Sequence, residues 1–175
     1  MRKYALPDVL TGRCSQEDYT HWLYAKAAAH VRRDTKRGNK TANATKYRDA
    51  IHRAVCDGGD KDAYTGQSLR WDLIRTYDNE KAKQGKRDYK KEFADLPTVD
   101  HVDDGMAEPN FRICSWRTND CKNDLTLDEF KEVCRDILGG KAEGKNEDRT
   151  RILLEMLTCG LKEEELFERH GTCES

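Results

Sequence analysis

The chain has 175 residues, 36% of them apolar and 37% charged, with a formal net charge of −1. That length suits one domain, or a modest core with helical additions, beneath a heavily charged surface. No apolar run approaches the ~20 residues of a membrane-spanning helix, so no membrane association is expected. The opening MRKYALPDVLTGRC lacks the apolar segment of a secretory signal, and the expected compartment is the cytoplasm. Seven cysteines, at 14, 56, 114, 121, 134, 159 and 173, are odd in number and form no C-x-x-C pair. This argues against a disulfide scaffold and a structural zinc site, and for reduced thiols.

Charge is unevenly spread. Residues 1–60 carry 12 Lys/Arg against 7 Asp/Glu, and residues 128–175 carry 8 against 13. A polyanionic partner should therefore meet the front and middle of the chain.

The first predicted element is an amphipathic helix from Glu17 to about Arg33. Ser15 and Asp18 open it in capping-box fashion, Tyr19, Trp22, Leu23, Ala27 and Val31 form its inner stripe, and Gly38-Asn39 ends it. The run RRDTKRGNK reads either as a solvated helix end or as a phosphate-contacting patch. A second helix is expected over Thr45–Cys56. The turn-rich CDGGDKDAYTGQSLRW follows, and Leu69, Trp71, Leu73 and Ile74 return the chain to the core. Residues 77–93 form a charged, partly helical connector with six Lys/Arg between Lys81 and Lys91.

After Pro97, TVDHV predicts a short strand, DDGMAEP a loop, and NFRICSW a second strand with Phe111, Ile113 and Ser115 on one face. RTNDCKND has room for a helical turn or two. Thr126 and Glu129 cap a helix over Leu127–Leu138, with Leu127, Phe130, Cys134, Ile137 and Leu138 as its buried stripe. Beyond the linker KAEGKNED, two short helices around Gly160 suggest a hairpin for packing or self-association. The expected organisation is an N-terminal helical region (1–60), a central core (61–140) and a C-terminal helical hairpin (141–175).

The strand-loop-strand-helix order carries a group of residues suited to phosphodiester cleavage. His101 can serve as general base at neutral pH. Asp100 and Asn119 offer oxygens of the kind that hard cations prefer, and Arg112, Arg117 and Lys122 can grip phosphates. Adjacent strand residues point to opposite faces, so Asp100 and His101 can share a site only where the strand ends or bulges.

At these positions the segment resembles the HNH (ββα-metal) endonuclease family. Asp100-His101, then Asn110, Asn119 and Lys122 follow the family's pattern in order, and the upstream AYTGQSLRW resembles a Y-x-G-x-x-L-x-W stretch often found before the nuclease unit. The resemblance covers about residues 62–138. It implies an α+β, mostly helical fold around a ββα-metal core, and hydrolysis of DNA, with RNA as an alternative substrate. It also implies Asp100 and Asn119 as ligands of one divalent cation (Mg²⁺, or else Mn²⁺), His101 as general base and Asn110 as the residue holding the histidine's loop. Many members bind a structural zinc through two C-x-x-C pairs. Here Ser115 and Thr118 occupy the second pair's positions, so no structural zinc is expected. The other reading is a non-catalytic nucleic-acid-binding or assembly module retaining the ββα shape. The remaining histidines, His30 among them, read as structural.

Overall fold

A computed structural model of the chain describes residues 3–103 and 105–139. They form an α+β, mostly helical arrangement: α1 (Gln16–Arg37), α2 (Ala44–Cys56), α3 (Asn79–Glu92), β1 (Pro97–His101), β2 (Phe111–Ser115), α4 (Trp116–Lys122) and α5 (Leu127–Gly139). The strands pair antiparallel in unbroken register from Pro97 opposite Ser115 to His101 opposite Phe111. The chain divides into two compact units, Met1–Thr126 and Leu127–Ser175. Among the described residues no helix is long and apolar enough to cross a membrane. The expected C-terminal hairpin lies outside the described residues.

α1 starts where its caps predict. The Ser15 hydroxyl accepts from the Asp18 amide at 3.0 Å, and Gly38 closes the helix at φ 109°, a conformation glycine adopts without strain. The helix runs about one turn further than its apolar residues alone suggested. Its inner stripe, after Tyr19, Trp22, Leu23 and Ala27, continues through His30 and Asp34. α2, capped by Asn43, adds Tyr47, Ile51 and Val55. Val99, Phe111 and Ile113 of the strands complete the same core. The N-terminal helices and the strand pair thus share one apolar interior, in which a fully buried aliphatic such as Leu23 or Ile51 contributes about 2 kcal/mol. The two buried indoles are anchored to carbonyls, Trp22 to Pro97 and Trp71 to Gly59.

The helix packed on both strands is α4, which follows β2 directly. Ser115 caps it through the Thr118 amide and hydroxyl, at 3.0 and 2.8 Å. α5, in the second unit, buries none of its residues fully, and Ile137 is 73% exposed. The stripe expected to be buried, Cys134 included, is half-buried or open.

Candidate active site

β1 presents its two critical residues to different neighbours. Asp100 faces α4 and the 62–66 turn: its Oδ2 accepts from the Tyr64 hydroxyl at 2.5 Å and lies 3.0 Å from Lys122 Nζ. His101 faces α1 and α2. Its Nε2 lies 2.9 Å from Asp34 Oδ2, which also accepts from the Tyr47 hydroxyl at 2.6 Å. The two residues share no hydrogen-bond partner among the described residues. The ladder is regular through His101, so the alternation of a strand holds to its last residue.

The histidine's tautomer follows from its partners. Arg33 Nη2 lies 2.6 Å from His101 Nδ1 and 2.7 Å from His30 Nδ1. Arginine only donates, so both Nδ1 atoms accept and each ring is neutral with its hydrogen on Nε2. His101 gives that hydrogen to Asp34. Burial, followed by the Asp34 and Arg33 charges acting in opposite senses, leaves the His101 pKa below its ordinary value. Burial lowers His30 further, to about 2, reinforced by Arg33.

Asp34 is fully buried on the inner face of α1, and its Oδ1 has no hydrogen-bond partner among the described residues. Arg33 Nε, at 3.9 Å from it, supplies a charge but not a hydrogen bond. The loop closes over this carboxylate through Gly105, where a Cβ would stand 3.0 Å from the Asp34 carboxyl group and where φ is 74°. Asn39, buried just past α1, fixes that glycine by donating to its carbonyl at 2.8 Å. Both the backbone conformation and the close approach require glycine here.

The other expected residues sit around these two centres. Asn110 is exposed; its carbonyl accepts from the Val102 amide at 3.1 Å and so closes the loop after His101, while its side chain makes no hydrogen bond among the described residues. Asn119 is half-buried on α4, one turn before Lys122, and its side chain is likewise without a hydrogen bond there. Arg112 lies over the Tyr64 ring at 5.6 Å. Arg117 is exposed and lines a groove with Arg87, Lys90, Lys91 and Trp116. Lys122, expected to grip phosphate, is buried against Asp100.

A cation between Asp100 and Asn119 has the right donors, a carboxylate and an amide on facing elements. As folded, however, the Lys122 ammonium already occupies Asp100 Oδ2, and no group of three or more His, Cys, Asp or Glu residues suited to a metal occurs among the described residues. The set as it stands fits an ammonium.

Arg33 lies in the run RRDTKRGNK, read either as a solvated end or as a phosphate-contacting patch, and Tyr64 lies in the AYTGQSLRW stretch. Neither was placed beside Asp100 or His101, and Asp34 and Tyr47 were given no role at the site. Asp34 carried a signal: it falls seven residues after Ala27, in phase with Leu23 and His30 on the inward stripe. Comparison of the chain with models of known families, with curated proteins and with solved structures found no match.

Proposed function

We propose that the protein is an endonuclease of HNH type that hydrolyses phosphodiester bonds in DNA, with His101 as the general base. The observation that carries this reading is the hydrogen bond from His101 Nε2 to the buried carboxylate of Asp34. A buried carboxylate on the far nitrogen fixes the tautomer and stabilises the imidazolium that forms when Nδ1 takes a proton from water. The lowered pKa keeps the ring in its free-base form at neutral pH. Arg33, with a side chain 45% exposed, adds a positive charge at the same edge for a phosphate. Asn110, through its backbone, closes the loop after the histidine. In this reading Asp100 and Asn119 would hold the divalent cation in competition with Lys122, on the opposite face of β1 from His101, and its charge would reach the phosphate that His101 serves only with a rearrangement of the strand end.

A second reading is favoured by one specific contact. The Lys122–Asp100 pair neutralises the expected metal ligand, as in a nucleic-acid-binding or assembly module that keeps the fold without the chemistry. One assay separates the two. Supercoiled plasmid is incubated with the protein and Mg²⁺ or Mn²⁺, beside His101→Ala and Asp34→Asn. The nuclease reading expects nicking by the wild type, a loss of at least about 100-fold in His101→Ala, and a large loss in Asp34→Asn. Absence of nicking with either cation, or equal nicking by His101→Ala, overturns the nuclease reading.

A further inference from the structure

A shallow groove along α1, lined by Ala29, His30, Arg32, Arg33 and Lys36, opens onto the guanidinium that covers His101 Nδ1. Arg33 spends both hydrogens of Nη2 on two neutral acceptors, His30 and His101. Its Nη1 meets no acceptor among the described residues. No salt bridge to Arg32 or Lys36 occurs among the described residues either, so the groove holds three cations, and the carboxylates that act on Arg33 are Asp34, buried beneath it, and Asp100, which Lys122 already neutralises. Such an arrangement leaves positive charge uncompensated beside the edge of a histidine that the rest of the site prepares as an acceptor.

We propose that this groove binds a phosphate group of a nucleic-acid backbone, and that the phosphate draws the Arg33 guanidinium off His101, opening the Nδ1 lone pair as the phosphate arrives. That the phosphate belongs to a nucleic acid rests on the nuclease reading; the exchange itself follows from the hydrogen bonds. The guanidinium now donates to two neutral ring nitrogens, whereas a phosphate would offer it anionic oxygens in bidentate geometry, and this difference favours the transfer. The planar fork of Arg33 matches two phosphate oxygens, and Arg32 and Lys36 flank it. An acidic peptide would bring side chains of its own, for which the groove offers Ala29 as its apolar contact. Phosphate is therefore the better fit. No bond is made or broken in the exchange: Nη2 hydrogens pass from nitrogen acceptors to phosphate oxygens, and His101 stays neutral.

The test uses the full chain labelled with ¹⁵N in histidine. The ring signals of His101 and His30 are followed at fixed pH and ionic strength while inorganic phosphate, a short single-stranded DNA oligonucleotide or poly-glutamate is added. The expected result is a saturable movement of the His101 Nδ1 signal from a hydrogen-bonded to a free position with the oligonucleotide. Arg33→Lys should weaken this response by about tenfold. The double variant Arg32→Ala/Lys36→Ala should weaken it comparably while leaving the His101 signal of the free protein unchanged, which separates the groove from the fold. A response to inorganic phosphate as well assigns the site to a single phosphoryl group, and a response to the oligonucleotide alone assigns it to the polymer backbone. The proposal is overturned by an unmoved His101 signal with both phosphate probes, or by poly-glutamate acting as well as DNA at equal charge. A moved signal with intact plasmid would retain the phosphate site and remove the nuclease; nicking with an unmoved signal would do the reverse.

Discussion

Asp34 is the residue whose position most needs a reason. Burying a carboxylate costs several kcal/mol, and two hydrogen bonds to Oδ2 with an unpartnered Oδ1 recover part of that. A fold that needed only packing at this point of α1 would do better with leucine, and what the carboxylate adds here is its hydrogen bond with His101. His30 shows the opposite strategy, a histidine buried neutral with its Nδ1 accepting from Arg33. Its folded pKa, about 2, lies below its ordinary 6.5, so between those values the unfolded chain binds a proton that the folded chain refuses. Its contribution to stability is complete above pH 6.5 and is lost as pH falls, with a slope approaching 1.4 kcal/mol per unit for this one group, about the limit for a single proton. Urea unfolding at pH 7.5 and at pH 5.0 should show a marked loss for the wild type and a smaller one for His30→Gln. Parallel losses in the two proteins would mean that His30 is not held neutral.

At the scale of elements, much was legible and the failures have causes. Both N-terminal helices, the Ser15 start and Gly38 stop of α1 and the order of the two strands follow from short-range signals: caps, periodicity and turn residues. Asp34 escaped because it stands within RRDTKR, where three of its four nearest neighbours are basic and the run reads as a solvated end. Tyr64 escaped because its partner, Asp100, is 36 positions away and no local pattern announces such a contact. Lys122 was expected at a phosphate because a lysine three residues after Asn119 fits an exposed grip; tertiary packing instead turns it onto β1. The α4–β1 pair carries its own prediction. Replacing Lys122 by Ala leaves Asp100 buried with the Tyr64 hydroxyl alone, which should destabilise the protein by about 3 kcal/mol. If Asp100 is a cation ligand, Mn²⁺ should then raise the melting temperature of Lys122→Ala more than that of the wild type, since the competing ammonium is gone. Equal shifts would deny Asp100 that role.

Across the whole molecule, what the site requires is gathered in one unit. α1 brings His30, Arg33 and Asp34, α2 brings Tyr47, the turn before β1 brings Tyr64, and β1 brings Asp100 and His101, all within Met1–Thr126. These contacts span up to 68 positions of sequence, as Arg33 to His101 does, and they cross between helices and strands at several points. The chemistry is therefore coupled to the integrity of one core rather than to a local β-hairpin. The core residues themselves, from Tyr4 to Ile113, also lie wholly in that unit. A chain ending at Thr126 should consequently fold alone, unfold in a single cooperative transition and retain the His101 ring signals of the full protein. Denaturation followed by tryptophan fluorescence, which reports on Trp22, Trp71 and Trp116, checks the first point because two of those indoles are buried in the core and the third starts α4. A broad, non-cooperative transition, or His101 signals altered from those of the whole chain, would show that Leu127–Ser175 is needed to hold the site together.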